Sequence, residues 1–195
     1  MATIHQYNFP TRIQYGAGAL ALLPDALREA GCKRPLVVTD KGLATLPPVT
    51  RSVELLRAAG LAPQVFSGIW GNPVKSQVAA GVEAFRAHGA DAIVGLGGGA
   101  AVDVAKAIAL LAHHPGDLFD YEDGKPDARP IDQPIPYFVT IPTTAGTGSE
   151  VGRSTVVSDD VTKVKKIIFS PRLLAARVLV DPELTLRLPA SITAS

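Results

Sequence analysis

The sequence predicts an α/β fold in which a parallel sheet is flanked by helices. Short apolar runs, typical of buried strands, alternate along the 195 residues with segments whose apolar side chains recur at helical spacing. Glycines close the helical segments before the next apolar run begins. Repeated strand–helix units of this length imply parallel pairing through right-handed crossovers, so we expect a Rossmann-like sheet.

The first half of the chain supplies the elements of this sheet in order. We expect an edge or N-terminal strand at 8–16, helices at 18–30, 49–59 and 74–88, and strands at 36–39, 63–66 and 92–96. Gly31, Gly60 and Gly89 follow the three helices, at the position where a left-handed backbone favours glycine. The helix at 74–88 carries apolar residues at 74, 78, 82 and 85, which form one stripe.

The second half adds a helix, a small β-hairpin excursion and two more strands. The helix follows Gly99 and has apolar residues at 104, 108 and 111 on one face. Residues 114–136 are rich in proline and aspartate, so we expect a long surface excursion with solvated charges. Strands are expected at 137–141 and 178–180, with the hairpin at 154–158 and 166–169 between them. Residues 1–188 would then form one domain, and 189–195 would begin a linker.

Composition narrows the class of protein. Apolar residues make up 47% of the chain and the net charge is +1, which argues against disorder and against a nucleic-acid-binding surface. No apolar run approaches the length of a membrane span, and no signal-peptide pattern opens the chain. The single cysteine, Cys32, cannot form an internal disulfide, so we expect a buried or half-buried structural thiol and a cytoplasmic protein.

A turn of three glycines follows the strand at 92–96. Gly97, Gly98 and Gly99 join this strand to a helix, whose free amides and dipole favour an anion such as a diphosphate. The dinucleotide fingerprint is only loosely matched, because the acids about twenty residues on lie in a loop-like stretch. Asp40 is better placed, at the carboxyl end of the strand at 36–39, where ligands of open α/β sheets bind.

A second turn, rich in threonine and glycine, follows the strand at 137–141. Hydroxyl side chains and glycines of this run, which includes Thr143, Thr144 and Thr147, can form an anion-binding concavity. Runs of this composition are most often plain loops. Because a glycine cluster is also present at 97–99, we favour a phosphate site over a plain loop.

These segments resemble the N-terminal half of the iron-containing (group III) alcohol dehydrogenases. The sequence contains VTDKG at 38–42, GNP at 71–73, GGGAAVDVAK at 97–106, IPTTAGTGSEV at 141–151 and VDPELT at 180–185, in the order of that family. Ala100 departs from the serine usual in the family. The resemblance implies a dehydroquinate synthase-like N-terminal domain that binds NAD. It also implies a divalent metal, iron or zinc, held by one Asp and three His of a helical second domain, beyond Ser195.

The resemblance assigns roles to individual side chains. Asp40 would bind the adenosine ribose and favour NAD over NADP, although it could instead cap the following turn. Asp103 is expected in the first turn of the helix, next to the cofactor, and Lys106 could pair with it at i, i+3. Lys165 would reach the nicotinamide ribose, with Lys163 and Lys166 close enough to confuse the register. The remaining residues expected to bind the cofactor are Asn72, Gly97, Gly98, Gly99, Thr143, Thr144 and Thr147.

The expected function is hydride transfer between NAD and a primary or short-chain alcohol or aldehyde. This chain would supply no catalytic residue and no metal ligand. The histidines at 5, 88, 113 and 114 are interpreted as surface or helix-end residues, since none forms a His-x-x-x-His pair. Residues 1–195 alone would bind nucleotide without turnover, in a homo-oligomer. Two alternatives are a binding or assembly module, and a dehydroquinate synthase-like lyase, against which the sequence TGSE at 147–150 argues.

Overall fold

A computed structural model describes residues 10–186 and shows a six-stranded parallel sheet with order β1-β8-β5-β4-β2-β3. Its strands are β1 (Arg12–Tyr15), β2 (Pro35–Asp40), β3 (Gln64–Ile69), β4 (Ala92–Gly97), β5 (Tyr137–Pro142) and β8 (Arg177–Val180). The predicted parallel α/β fold is confirmed. β1 lies at one edge, as expected, and pairs only with β8, the last strand of the described chain.

Within residues 10–186, four α-helices cover the two faces of the sheet. They are α1 (Leu23–Glu29), α2 (Pro47–Ala58), α3 (Lys75–His88) and α4 (Gly99–His113). Leu23, Leu27, Val49 and Leu56 of α1 and α2 join one apolar cluster, on the face of the sheet that carries Val37 and Val94. The stripe of α3 and most of α4 join a second cluster on the other face. Each helix therefore packs its apolar stripe on the sheet, as its periodicity predicts.

The predicted hairpin is present on the α4 side of the sheet. It consists of β6 (Ser154–Ser158) and β7 (Lys165–Phe169), which pair antiparallel. A backbone bond from the Ser158 N–H to the Pro73 carbonyl, 2.8 Å, ties the hairpin to the segment before α3. The hairpin thus lies next to the turn that follows β3.

Several predicted boundaries differ from the structure. The helix expected at 18–30 is a 3-10 turn, Ala19–Leu22, followed by α1, because Pro24 lacks the N–H that a continuous helix would use there. β3 extends to Ile69, three residues further than expected, because its pairing with β2 continues. The predicted linker at 189–195, and residues 8 and 9 of the first predicted strand, lie outside the described residues.

The segment at 114–136 is not a simple surface excursion. A 3-10 turn, Leu118–Tyr121, buries Leu118, Phe119 and Tyr121 in the cluster around α4. Asp117 caps this turn by accepting the Phe119 N–H at 2.9 Å, and it pairs with Lys75 at 2.8 Å. The expected surface excursion is therefore correct for residues 123–130 and 132–134, which are exposed, and wrong for the turn at 118–121, where Leu118 and two aromatic side chains are buried.

The strand order reverses between β2 and β4. The chain runs outward from β2 to β3, then returns to place β4 and β5 on the opposite side of β2. In open α/β sheets, ligands bind outside the carboxyl ends of the strands at such a reversal. Asp40 and Gly97 are the last residues of the two strands that flank it.

Candidate functional site

The glycine turn sits at the strand reversal and is tightly packed. Gly97 has φ +146°, and a Cβ there would lie 2.8 Å from the Ala101 Cβ, so glycine is required. Gly98 has an ordinary extended backbone, with φ −77° and ψ −175°. α4 begins at Gly99, and the first amides of the helix have no partner within it. The turn therefore offers backbone donors at a place where side chains are excluded.

The threonine-rich loop after β5 lies directly against this turn. The Thr143 N–H donates to the Gly97 carbonyl at 3.0 Å, and its side chain is buried, so Thr143 supports the turn from beneath. A Cβ on Gly98 would lie 3.3 Å from the Thr144 Oγ1, and a Cβ on Gly99 would lie 2.9 Å from the Thr147 Cγ2. The two predicted turns thus form one continuous surface.

Asp40 occupies the other side of the reversal. Its Oδ1 accepts the Leu43 N–H at 2.9 Å, which is the capping role considered from the sequence. Its Oδ2 lies 3.4 Å from the position of a Cβ on Gly97. One oxygen of Asp40 therefore holds the turn after β2, while the other lies beside the glycine turn.

A cavity of about 380 Å³ opens next to Gly99. Five of the predicted residues line it: Asn72, Gly99, Asp103, Thr147 and Lys165. The lining is completed by residues of the loop after β3, α4, the loop after β5, and β6: Pro73, Ala100, Gly148, Ser149, Gly152, Ser154, Val156 and Ser158. The other predicted residues do not line this cavity. They lie at the strand reversal, in the contacts described above: residues 40, 97, 98, 143 and 144.

Asp103 lines the cavity from the second turn of α4. The prediction of a first-turn position was wrong, because the helix already begins at Gly99. The Ser149 hydroxyl donates to Asp103 Oδ1, and the Val156 N–H donates to Oδ2 at 3.4 Å. Burial raises the pKa of this carboxyl, while the bond from Ser149 and the charge of Lys106 oppose the rise. Asp103 therefore holds the loop after β5 rather than the helix end.

Lys106 is fully buried one turn further along α4. Its Nζ donates to the carbonyls of Ser149 at 2.6 Å, Gly152 at 2.9 Å and Ser154 at 2.8 Å. All three ammonium protons are thus used by carbonyls. The i, i+3 pair with Asp103, which the sequence left open, is not among these bonds. Burial lowers the pKa of Lys106 to about 8, against the opposing charges of Asp103 and Glu150.

The histidines of the described chain contribute nothing to this site. His88 and His113 are the last residues of α3 and α4, as expected. His114 follows α4 but is buried: its Nδ1 lies 2.9 Å from the Leu110 carbonyl oxygen, and its Nε2 accepts the Gln133 N–H at 3.1 Å. His114 is the C-cap of α4, which agrees with the helix-end interpretation, although its side chain is buried. His5 lies outside the described residues.

The sequence reasoning missed the contribution of β6. Ser154, Val156 and Ser158 alternate along this strand, so their side chains share one face, and that face lines the cavity. The alternation was available in the sequence as a signal. Lys106 also had a signal, since it interrupts the apolar residues of α4.

Comparison with known proteins decides the family. A family model of iron-containing alcohol dehydrogenases matches residues 10–182, nearly all of the described chain. The chain belongs to the iron-containing alcohol dehydrogenase family. The resemblance drawn from the sequence motifs is therefore confirmed.

Individual family members agree with this assignment. The 4-hydroxybutyrate dehydrogenase of Cupriavidus necator is 39% identical over 189 residues, 95% of this chain and 48% of that protein. The NAD-dependent methanol dehydrogenase of Bacillus methanolicus is 35% identical over 187 residues, 96% of this chain and 48% of that protein. The crystal structure of a 1,3-propanediol oxidoreductase gives a TM-score of 0.90 at 36% identity, over 98% of this chain and 49% of that one. The chain spans about half the length of the curated relatives it matches.

The family name implies an iron ion, but the described part of the chain contains no cluster of side chains that could bind one. Residues 10–186 contain no group of three or more His, Cys, Asp or Glu side chains that could hold a metal ion. A search of the same residues finds no helix long and apolar enough to cross a membrane.

Proposed function

We propose that this chain is the NAD-binding domain of a metal-dependent alcohol dehydrogenase, which transfers hydride between NAD and a primary or short-chain alcohol or aldehyde. The observation that carries the proposal is the placement of Asp40 beside the glycine turn at the strand reversal, with the cavity continuing from Gly99. An acid next to a glycine turn and a helix N-terminus is the arrangement that binds a ribose and a diphosphate together.

The proposal places the adenosine half of NAD at the strand reversal. Asp40 Oδ2 would accept the ribose hydroxyls, and its charge would repel the 2′-phosphate of NADP. The turn at 97–99 and the side chains of Thr144 and Thr147 would hold the diphosphate. Gly98 and Gly99 support this, because a Cβ at either would occupy the space between the two turns. Thr143, being buried, would support the loop without touching the ligand.

The nicotinamide half would then enter the cavity that Gly99, Asp103 and Lys165 help to line. Lys165 and Asp103 both line this cavity, together with Asn72 of the loop after β3. Lys165 can donate to ribose hydroxyls with its ammonium group, and Asp103 can accept from them. NAD, when bound, supplies the hydride acceptor of the reaction. The side chains of this domain orient the ring and exclude water from one side of it.

The metal and the alcohol would bind outside residues 10–186, because this part of the chain offers no metal-binding group. A polypeptide of residues 1–195 is accordingly expected to bind NAD without oxidising alcohols. The proposed domain comprises 1–188, with 189–195 leading to a second domain. Self-association is supported by β1, an edge strand on which Tyr15 is 77% and Ile13 46% exposed. The single, unpaired cysteine supports a cytoplasmic location.

Calorimetric titration with NAD, NADP and ADP tests the proposal. We expect NAD and ADP to bind with 1:1 stoichiometry and NADP to bind more weakly, because the Asp40 carboxylate repels the 2′-phosphate. A chain that binds neither NAD nor ADP would contradict the proposed function. Equal affinities for NAD and NADP would contradict the role of Asp40 and leave the site itself in place.

A further inference from the structure

Lys106 is an unusual residue for its position. It lies on the buried face of α4, between Ala105 and Ala107, and its side chain is fully shielded from solvent. A buried ammonium group is costly unless every proton has an acceptor. Here three carbonyl oxygens lie within 2.9 Å of Nζ, so the group is fully satisfied.

The three acceptors belong to one segment of the cavity wall. Ser149, Gly152 and Ser154 all line the cavity, whereas Lys106 itself does not. The segment at 149–154 contains a single 3-10 turn, Ser149–Val151, and leads into β6. Lys106 therefore holds the backbone of this wall from behind.

Asp103 also binds the segment that begins at Ser149, through hydrogen bonds different from those of Lys106. It accepts from the Ser149 hydroxyl and the Val156 N–H, and its backbone carbonyl accepts from the Thr155 hydroxyl at 2.7 Å. β6 in turn carries β7, where Lys165 pairs with Ser158. The position of Lys165 in the cavity lining thus depends on where α4 holds β6.

We propose that Lys106 is a positioning residue for the nucleotide site: its ammonium group fixes the segment at 149–154 as the wall of the cavity that receives the nicotinamide riboside half of NAD. The inference rests on the proposed function for the identity of the ligand. Without the ammonium group, three carbonyls of the wall lose their donor, and the segment gains by moving toward water. The strand reversal that would receive the adenosine half is held by other contacts, from Thr143 to Gly97 and from Leu43 to Asp40.

The test compares two ligands on two lysine variants. Lys106→Met keeps the apolar stem and removes the donors. Lys33→Met, at an exposed position two residues before β2, is the matched control. We expect Lys106→Met to weaken NAD binding by roughly tenfold or more, since bonds from a charged donor are lost, and to leave ADP affinity within about twofold. Lys33→Met should bind both ligands as the parent does. A fall of equal size for both ligands, or no fall for NAD, would overturn the inference.

Two further measurements cover the case in which Lys106→Met does not fold. Lys106→Gln keeps two N–H donors and is expected to recover part of the NAD affinity. Hydrogen exchange of the parent chain without ligand should show the amides of 149–156 protected to a degree similar to those of α4. Exchange of this segment at the rate of an open loop would overturn the inference. Because this readout needs no ligand, a parent chain that binds neither nucleotide would contradict the proposed function and still test the role of Lys106.

Discussion

The Oδ2 atom of Asp40 lies 3.4 Å from the position that a Cβ on Gly97 would occupy. These residues end β2 and β4, the two strands between which the sheet order reverses. A side chain at 97 would therefore crowd the carboxylate as well as the Ala101 Cβ, 2.8 Å away. The absence of a side chain at 97 keeps one oxygen of Asp40 accessible at the point where a ribose would bind.

Neutralising Asp40 should reduce the preference for NAD over NADP. Asp40→Asn retains an Oδ1 that can accept the Leu43 N–H, so the turn after β2 is kept while the charge is removed. The variant loses a charge-assisted hydrogen bond to the ribose of NAD, and it no longer repels the 2′-phosphate of NADP. We therefore expect the ratio of the NAD affinity to the NADP affinity to fall by roughly tenfold. Calorimetry of both nucleotides measures the ratio. An unchanged ratio would leave Asp40 with the capping role alone.

Alanine at two neighbouring glycines should have different effects. Gly98→Ala fits the backbone, with φ −77°, but places a Cβ 3.3 Å from the Thr144 Oγ1, in the space proposed for the diphosphate. We expect this variant to fold and to lose most of its NAD affinity. Gly97→Ala has to adopt φ +146° and should lose about 1–3 kcal/mol of unfolding free energy. Urea unfolding and calorimetry separate the two effects, and normal NAD binding by Gly98→Ala would make the turn purely structural.

Removing the Ser149 hydroxyl should raise the pKa of Asp103 further. The hydroxyl donates to Asp103 Oδ1 and opposes the effect of burial, so Ser149→Ala leaves a buried carboxylate with one donor fewer. We expect a loss of about 1 kcal/mol of stability at neutral pH. NMR titration of the Asp103 carboxyl carbon in parent and variant gives the direction of the shift. A pKa that stays constant or falls would show that Ser149 does not stabilise the ionised form.

The titration of Lys106 should make stability depend on alkaline pH. Its pKa is about 8 in the folded chain against 10.5 for the free side chain, so the unfolded state binds more protons between these values. The contribution of Lys106 to the free energy of unfolding therefore rises with pH from about 8 to 10.5, by about 3 kcal/mol at most.

Urea unfolding at pH 7 and pH 10 measures this contribution. The difference in stability between the parent and Lys106→Met should grow with pH, while Lys33→Met should follow the parent at both values. A difference between parent and Lys106→Met that stays constant would contradict the lowered pKa.

Local patterns were sufficient to predict the sheet and the glycine turns. Strands such as β4 are read from a short apolar run, and a glycine at 97 is required by the local backbone itself. The distant partners of His114 and Lys106 were not predicted, because they come from segments 19 and more than 40 residues away. Hydrogen bonds of this range leave no periodic signal, and only packing reveals them.

The edge strand β1 and its partner β8 are also far apart along the chain. β1 pairs with β8, so Arg12 lies opposite Arg177, and the Phe138 carbonyl already accepts the Ala176 N–H next to them. During vectorial synthesis β1 emerges first and has no strand to pair with until the ribosome has added about 165 further residues. The strands from β2 to β5 can pair among themselves in the meantime. β1 can pair only once β8 is available, so the six-stranded sheet is complete only after translation has passed Val180.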